Sequence, residues 1–535
     1  HLASSAASDV YKRQSLPSNS KVNYGASHTT LNNAEENVAL TTEHEVTITG
    51  LTPGTKYYYS IEASGDVLAG EDVDHFFTTA PQDDYTGLTR AWVLGDAGTA
   101  NTNQRNVRDA YYDYVNANGG QTDMILMLGD NAYNSGTDEE YQAAMFENMY
   151  EDIIRNTVTW SCPGNHDIYS ANSSSQTGPY YDIFTFPTAG EAGGLASGTE
   201  AYFSWDYGQI HFISLDSDDS PRNTGGSMLT WLENDLASTT KEWIVVIFHH
   251  PPYTKGSHDS DNTGDSGGRM RDMRENALPI LESYGVDVVL SGHSHSYERS
   301  YFLNGHYGTS STFNNSMKVQ DGSGKVDVDC SYKKYNGASE DGNGTVYLTA
   351  GSSGKVTGTL TQHAAMYAYL YERGSVVIEV EGNRLDLKFL NENDQITDYF
   401  TIDKNVNTAA IDTTIAGGSS ITLTASWGDD FSWNPGGATT QSITVSPTEN
   451  TQYIVTNSNG CLSDTFNVTI SCTPDDITLN LETCVSEEAG TTVQNLTNQA
   501  GCDSTVTTIT TYVGTEDQTV NLETCNAEEA GTVVT

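Results

Sequence analysis

The sequence predicts an α/β layered core flanked by all-β modules, on three observations. Five short apolar runs, RAWVLGD, DMILMLGD, TVTWSCPGNHD, WIVVIFHH and VDVVLSGHSH, have the length and content of strands buried on both faces. Segments with helical spacing of apolar residues lie between them, at 104–115, 138–154, 228–236 and 270–284, and that alternation is the signature of an α/β core. The flanks read differently. Residues 44–81 alternate apolar and polar side chains around a Pro-Gly turn, the period of antiparallel strands, and no Lys or Arg occurs after Lys404, where Thr, Ser, Asn and Gly dominate.

In chain order, residues 1–14 (HLASSAASDVYKRQ) have no apolar h-region and no strand pattern, and they are set aside as a non-native or disordered leader that resembles translated sequencing adapter. Any signal peptide would then lie upstream. Residues 15–81 form an all-β module whose earlier strands are missing, and residues 86–403 hold the α/β core. Residues 406–472 contain several short alternating strands separated by turn residues, as in an immunoglobulin-type sandwich. In residues 473–535 the segment NLETCVSEEAGT at Asn480 recurs as NLETCNAEEAGT at Asn521, a period of about 41 residues that marks an array of small modules. The second copy stops at Thr535, so the natural protein is expected to continue.

Cysteine spacing pairs Cys461 with Cys472 and Cys484 with Cys502, leaving Cys525 without its partner; Cys162 and Cys330 stay open. Such pairing favours an oxidising, extracytoplasmic setting. The formal net charge of −47 over 535 residues disfavours nucleic acid and anionic membranes as partners. No stretch approaches the about 20 consecutive apolar residues that a membrane-spanning helix needs. The Asp-rich stretches at 259–265 and 321–329 lack a full EF-hand pattern and read as solvated loops.

Chemistry concentrates at the ends of the five runs, in GDAG at Asp96, GDNAY from Asp130 to Tyr133, GNHD at Asn165, FHH at His249 and GHSH from His293 to His295. In open α/β sheets ligands gather beyond the carboxyl ends of the strands, so five loops would converge there. Asp, Asn, His and Tyr offer hard oxygen and borderline nitrogen donors without a thiolate, which suits iron, zinc or manganese. A shared carboxylate can bridge two ions about 3.5 to 4 Å apart and so clamp an in-line displacement at phosphorus.

The set GDAG, GDNAY, GNHD, VIFH and GHSHSYER, with AYFSWDYGQIHFISLDS at 201–217, resembles the metallophosphoesterase superfamily and, within it, the purple acid phosphatases, over about 88–402. That resemblance implies a four-layer αββα sandwich. It implies that Asp96, Tyr133 and His295 hold a first metal, ferric iron, and that Asn165, His249 and His293 hold a second, iron(II), zinc or manganese. Asp130 would bridge the two. It further implies hydrolysis of phosphate monoesters by metal-bound hydroxide at this dinuclear centre, with His166 stabilising charge or protonating the leaving oxygen. His258, in YTKGSHDSD, follows His249 at a spacing similar to that of a substrate histidine in plant members, with His250 as the alternative. Asp167 stands where plant members usually carry Glu. His363, in TQHAAM, could reach the cleft rim, although a structural role is the simpler reading.

Residues 44–81 are similar to the second half of a fibronectin type III domain, and 406–472 to bacterial surface modules of the polycystic-kidney-disease-like group. A secreted or cell-surface enzyme acting on phosphorylated small molecules, with a tail for attachment or secretion, is the resulting expectation. A phosphodiesterase or nucleotidase of the same superfamily would carry the same ligands. A non-catalytic surface adhesin would keep the fold only as scaffold.

Overall fold

A computed structural model of the chain describes residues 2–3, 7–147, 149–335, 343–358, 361–406, 410–471, 474–497 and 502–514. The chain divides into two units. The larger is His1–Asn407 with Ser426–Gly428 and Asn459–Leu462; the smaller is Thr408–Ala425, Asp429–Ser458 and Ser463–Thr535.

Each apolar run becomes a strand. They are β1 (Thr89–Leu94), β2 (Met124–Met127), β3 (Val158–Ser161), β4 (Trp243–Ile247) and β5 (Val288–Ser291), with a sixth, β6 (Val346–Ala350), that belongs beside them. β1, β2 and β3 are parallel neighbours in one seven-stranded sheet, which continues from β1 through Gly374–Glu381, Arg384–Asn391, Ile396–Lys404 and Tyr332–Lys334. The second seven-stranded sheet runs Phe203–Tyr207, Ile210–Ser214, β4, β5, β6, Tyr297–Ser300, Met366–Leu370, and its strands are parallel from Ile210–Ser214 to β6.

Alternation along the second sheet explains how both its faces are buried. Val245, Ile247, Val288, Leu290 and Leu348 share one apolar cluster with Val93, Leu126 and Ile378 of the first sheet. Val246, Val289 and Tyr347 point the other way, onto Met228, Leu232 and Leu236 of helix Ser227–Ser238 and onto Leu278 and Leu281. On the outer face of the first sheet lies helix Thr102–Ala117, whose Tyr111 ring stacks on Trp92 at 4.2 Å. Asn101 caps that helix, its side chain accepting from the amides of Asn103 and Gln104. The result is an αββα sandwich.

The helix expected over 138–154 is broken, with helix Asp138–Tyr141, a π turn over Gln142–Phe146 and helix Glu151–Ile154. That expected over 270–284 is likewise Arg269–Asp272, a π turn Met273–Ala277 and Leu278–Ser283. Pro279 gives the reason for the second break, because it has no N–H for a partner four residues back; Leu278 N donates instead to Met273 O.

In the same unit, a six-stranded sheet precedes the sandwich and includes strands Ala7–Gly25, Asn33–Ile48, Lys56–Ala63, Asp66–Gly70 and Phe76–Thr78 around Val22, Val46, Ile48, Tyr59 and Phe77. Residues 7–14, set aside above as leader, run in strand Ala7–Gly25 because their backbone pairs with Asn33–Ile48, in a register from Ser8 against Ile48 to Tyr24 against Asn33. Tyr59 joins this sheet to the sandwich, its hydroxyl donating to Arg155 O at 2.8 Å.

The smaller unit holds a four-stranded sheet of Ile411–Ala416, Ser463–Ser471, Thr451–Thr456 and Ser432–Asn434, with the Trp433 ring stacked on Phe466 at 5.7 Å. It also holds a two-stranded sheet of Ile421–Thr424 and Ser442–Val445 and a three-stranded sheet of Ile477–Thr483, Asp503–Tyr512 and Gly490–Thr497. The second copy of the repeat, at Asn521, falls outside the described residues, as do Cys472 and Cys525.

Cysteine pairing departs from expectation. Cys461 bonds to Cys330, with Cα atoms 5.5 Å apart and 131 residues between them in sequence, and not to the neighbouring Cys472. Both belong to the larger unit. Cys484 is free and exposed, so the expected Cys484–Cys502 pair does not form although Cys502 is disulfide-bonded; Cys162 is free and buried. Closeness in sequence is a poor guide to pairing when the fold brings a distant cysteine to bonding range. Among the described residues, no helix is long and apolar enough to cross a membrane.

Candidate metal centre

The site lies at the carboxyl ends of β1 to β6, where the seven ligands expected from sequence come together. β1 delivers Asp96, β2 Asp130 and Tyr133, and β3 Asn165; from the other sheet β4 delivers His249, and β5 His293 and His295. All four oxygen donors therefore come from one sheet and all three imidazoles from the other.

Two groups of contacts share one carboxylate. The Tyr133 hydroxyl lies 3.1 Å from Asp96 Oδ1, 3.0 Å from Asp130 Oδ2 and 3.4 Å from His295 Nε2, which is itself 3.5 Å from Asp96 Oδ1. The other oxygen of that carboxylate, Asp130 Oδ1, is 3.4 Å from His249 Nε2, which lies 3.2 Å from both Asn165 Oδ1 and His293 Nδ1. His249 is fixed by its second nitrogen, Nδ1, against Leu128 O at 2.8 Å, and His295 Nδ1 is fixed by Thr357 Oγ1 at 2.7 Å.

The backbone is bent to make this possible. Asp96, Asp130 and His293 have φ of +54°, +53° and +66°, a left-handed conformation that non-glycine residues seldom adopt and that clusters at functional sites. Glycines in the motifs are there for proximity. A Cβ on Gly164 would sit 2.2 Å from Asp130 N, and one on Gly292 would sit 2.4 Å from Asp96 Oδ2.

Electrostatics match a cation site. Burial drives the Tyr133 phenol well above its ordinary value, and the Asp96 and Asp130 carboxylates add to this, so the hydroxyl keeps its proton and donates to them unless positive charge arrives. Burial would raise Asp96, yet the hydrogen bond to His295 and the charges of His249 and His295 hold it below the usual carboxylate range. Burial, with His250 and His249 adding to it, pushes His293 well down, leaving it neutral and able to donate a lone pair. Four oxygens and three imidazoles without a thiolate fit two ions of the iron, zinc or manganese type. Asp96, Asp130 and His249 also meet as a compact group of possible metal donors.

The two further histidines of the sequence reading also reach this place. His166 N donates to Asp130 Oδ1 at 2.9 Å, its ring packs on Tyr133 at 4.6 Å, and its Nδ1 lies 2.5 Å from Asn134 O. A carbonyl only accepts, so Nδ1 carries the proton, and Nε2 faces the site 4.0 Å from Asp130 Oδ2. His258 stacks on His293 at 3.9 Å with Nδ1 on Asp265 Oδ1 at 2.9 Å, and its side chain is about a third exposed. His250 is buried, with Nδ1 3.0 Å from Ser217 Oγ, and burial together with the charge of His249 keeps it neutral. His363 is buried beside Tyr253 and pairs with Asp261 at 3.2 Å.

Several residues that hold the site were not legible as such. Asp167, fully buried, accepts from Asp130 N (2.9 Å), Asn131 N (3.1 Å), Gly164 N (2.8 Å), Asn131 Nδ2 (3.2 Å) and the Tyr141 hydroxyl (2.5 Å), tying the second loop to the third. Glu298 accepts from Thr254 Oγ1, Ser296 Oγ and Lys255 N, pinning the loop that carries His258. Arg299 binds Asp398 through two nitrogens, at 2.6 and 3.0 Å. A sixth loop, 351–358 after β6, packs on Asp96 and His295, and its signal was the same as that of the other five: an apolar run ending in glycine, VYLTAGSSGK.

Known proteins of similar sequence and fold include phosphatases. The sequence profile of the calcineurin-like phosphoesterase family matches residues 89–297. The chain is 30% identical over 272 residues to mouse acid phosphatase type 7, covering 48% of this chain and 56% of that protein. It is 28% identical over 284 residues to purple acid phosphatase 15 of Arabidopsis thaliana, covering 48% and 49%. The chain thus spans about half the length of the curated relatives it matches. Among solved structures, the purple acid phosphatase PPD1 from yellow lupin seeds superposes with a TM-score of 0.54 at 16% identity, over 75% of this chain and 73% of that one, a likeness of fold. Residues 89–297 are a calcineurin-like metallophosphoesterase domain with purple acid phosphatase homologues.

Proposed function

We propose that this domain hydrolyses phosphate monoesters at a dinuclear metal centre. Asp96, Tyr133 and His295 would hold ferric iron, and Asn165, His249 and His293 would hold iron(II), zinc or manganese, with Asp130 common to both. One observation carries this reading: the two oxygens of the Asp130 carboxylate face different donor groups, Oδ2 towards Tyr133 at 3.0 Å and Oδ1 towards His249 at 3.4 Å. When bound, the ions supply the positive charge that acidifies a water and offsets charge at phosphorus.

The chain's own residues supply the rest. His166 is aimed by Asn134 O, so as imidazolium it gives its Nε2 proton to the leaving oxygen of the ester, the task of a general acid. His258 is aimed by Asp265, which accepts from its Nδ1, so as imidazolium it donates its Nε2 proton in a hydrogen bond to a phosphoryl oxygen, stabilising charge there. Asp167 and the close-fitting glycines fix the loops, so little reorganisation accompanies reaction. The disulfide Cys330–Cys461 supports an oxidising compartment, and export is part of the proposal. The fibronectin-like reading of 15–81, the sandwich at 406–472 and the repeats at 473–535 fit a surface-directed enzyme whose tail serves attachment.

Asp130→Ala tests the reading. The variant should lose both ions and all turnover of an aryl phosphate together, measured by metal analysis and product release on the same sample. Retained turnover would sink the dinuclear centre. Comparing a monoester with a diester of one leaving group in the wild type decides the substrate class.

A further inference from the structure

We propose that Lys355 binds the phosphoryl group of the substrate, a role that rests on the phosphatase reading above. Its Nζ lies 4.4 Å from the centre of the Tyr133 ring, the same ring on which His166 packs. The residue is half-buried, and among the described residues it has no carboxylate partner within ion-pair distance. The other basic side chains of the surrounding loops are held: Lys255 by Asp259 and Asp261, Arg269 by Asp218, Arg222 by Asp272. In a chain of net charge −47, an unpaired ammonium beside the candidate metal ligands is the group that attracts a dianion.

The loop that carries it is fixed on both sides. Two residues before it, Ser353 N donates to Gly95 O at 3.1 Å and Ser353 Oγ accepts from Gly95 N at 3.2 Å. Two residues after it, Thr357 N donates to His295 O at 3.2 Å and its hydroxyl meets His295 Nδ1 at 2.7 Å. The loop is pressed so closely on its neighbours that a Cβ on Gly354 would lie 2.5 Å from Asp96 O, and one on Gly351 would lie 2.4 Å from Ser294 O. A lysine between two such anchors has its backbone placed and only its flexible stem free, which suits a point charge that follows a phosphate oxygen. A purely structural cation would sit against a carboxylate instead.

The test uses the full chain loaded with metal and inorganic phosphate as probe. Lys355→Met keeps the apolar stem over the ring and removes the charge; Lys355→Arg keeps the charge. For Lys355→Met the phosphate Kd, by titration calorimetry, and KM for an aryl phosphate should each rise about tenfold. Metal content and kcat should stay near wild type, and Lys355→Arg should recover most of the affinity. An unchanged phosphate Kd in Lys355→Met overturns the proposal, as does a loss of affinity that only follows a loss of metal. The two readings fail separately: Lys355-dependent phosphate binding without turnover defeats the hydrolase and leaves Lys355 in place. Turnover with a phosphate Kd indifferent to Lys355 does the reverse.

Discussion

Replacing Asp167 by Ala removes one acceptor from five donors. Three of these are main-chain amides, of Asp130, Asn131 and Gly164, and the others are Asn131 Nδ2 and the Tyr141 hydroxyl. Each buried donor left unmet costs about 1–3 kcal/mol, and water entering the vacated space would satisfy some of them. With two satisfied, three remain, for a loss of roughly 3–9 kcal/mol; relaxation places the expected value near the lower end, about 3–5 kcal/mol. Asp167→Asn keeps one oxygen but turns an NH₂ towards amides, so it should lose less, about 1–3 kcal/mol. Because Asp130 and Gly164 move with the carboxylate, metal affinity should also fall about 10–100-fold. The assay is urea unfolding of chelator-treated protein by tryptophan fluorescence, followed by metal titration of the folded protein. An Asp167→Ala chain within 1 kcal/mol of wild type by this measure, and with unchanged metal affinity, would refute the idea that this carboxylate holds the second and third loops together.

Two further outcomes are expected. Tyr133→Phe should bleach the visible absorption that iron bound to a phenolate would give, and an identical spectrum would show that iron is not held there. His211, 1% exposed, lies 2.7 Å from Asp206 and 2.8 Å from Asp235; burial lowers its pKa, but the hydrogen bonds and charges of the two carboxylates outweigh this and raise it to about 9. A histidine raised in the folded state stabilises fully below its unfolded value of about 6.5 and loses that contribution as pH rises through about 9, a swing of about 3 kcal/mol. His211→Gln should therefore flatten the difference in urea midpoint between pH 6 and pH 9.5, and an undiminished difference would rule out the linkage.

The parts of this molecule legible in its sequence are those where chemistry and local structure coincide. Asp96, Asp130, Asn165, His249 and His293 each follow an apolar run, so one scan finds both the strand and the residue it delivers. Residues acting through another were not legible. Asp167 looked like a minor departure from Glu because its donors, Tyr141 among them, come from elsewhere in the chain. Lys355 is not among the residue types that mark a metal site, so its loop carries no chemical signal beyond the same strand-then-glycine pattern. Apolar periodicity marks a helical face but not a change of ladder, so the π turns at Gln142–Phe146 and Met273–Ala277 leave no trace in it. Strand pairing in Ala7–Gly25 depends on a partner that its own sequence does not announce. Cys461 illustrates the same limit, since its partner Cys330 is closer in space than any spacing rule suggests.

The division of donors between the sheets has a mechanical side. Each proposed ion would take oxygen from the loops of one sheet and nitrogen from the loops of the other, so neither could be held by one half of the sandwich. Bound ions would then act as two rivets across the seam, and the protein without them would be joined there mainly by side-chain packing. Metal loading should raise resistance to heat most strongly at the sheet–sheet boundary, with amide exchange slowing along β1, β2, β4 and β5 before the outer helices respond. A site arranged in this way couples assembly of the fold to occupancy: the same seven side chains that would perform the reaction would also report whether the two halves have closed.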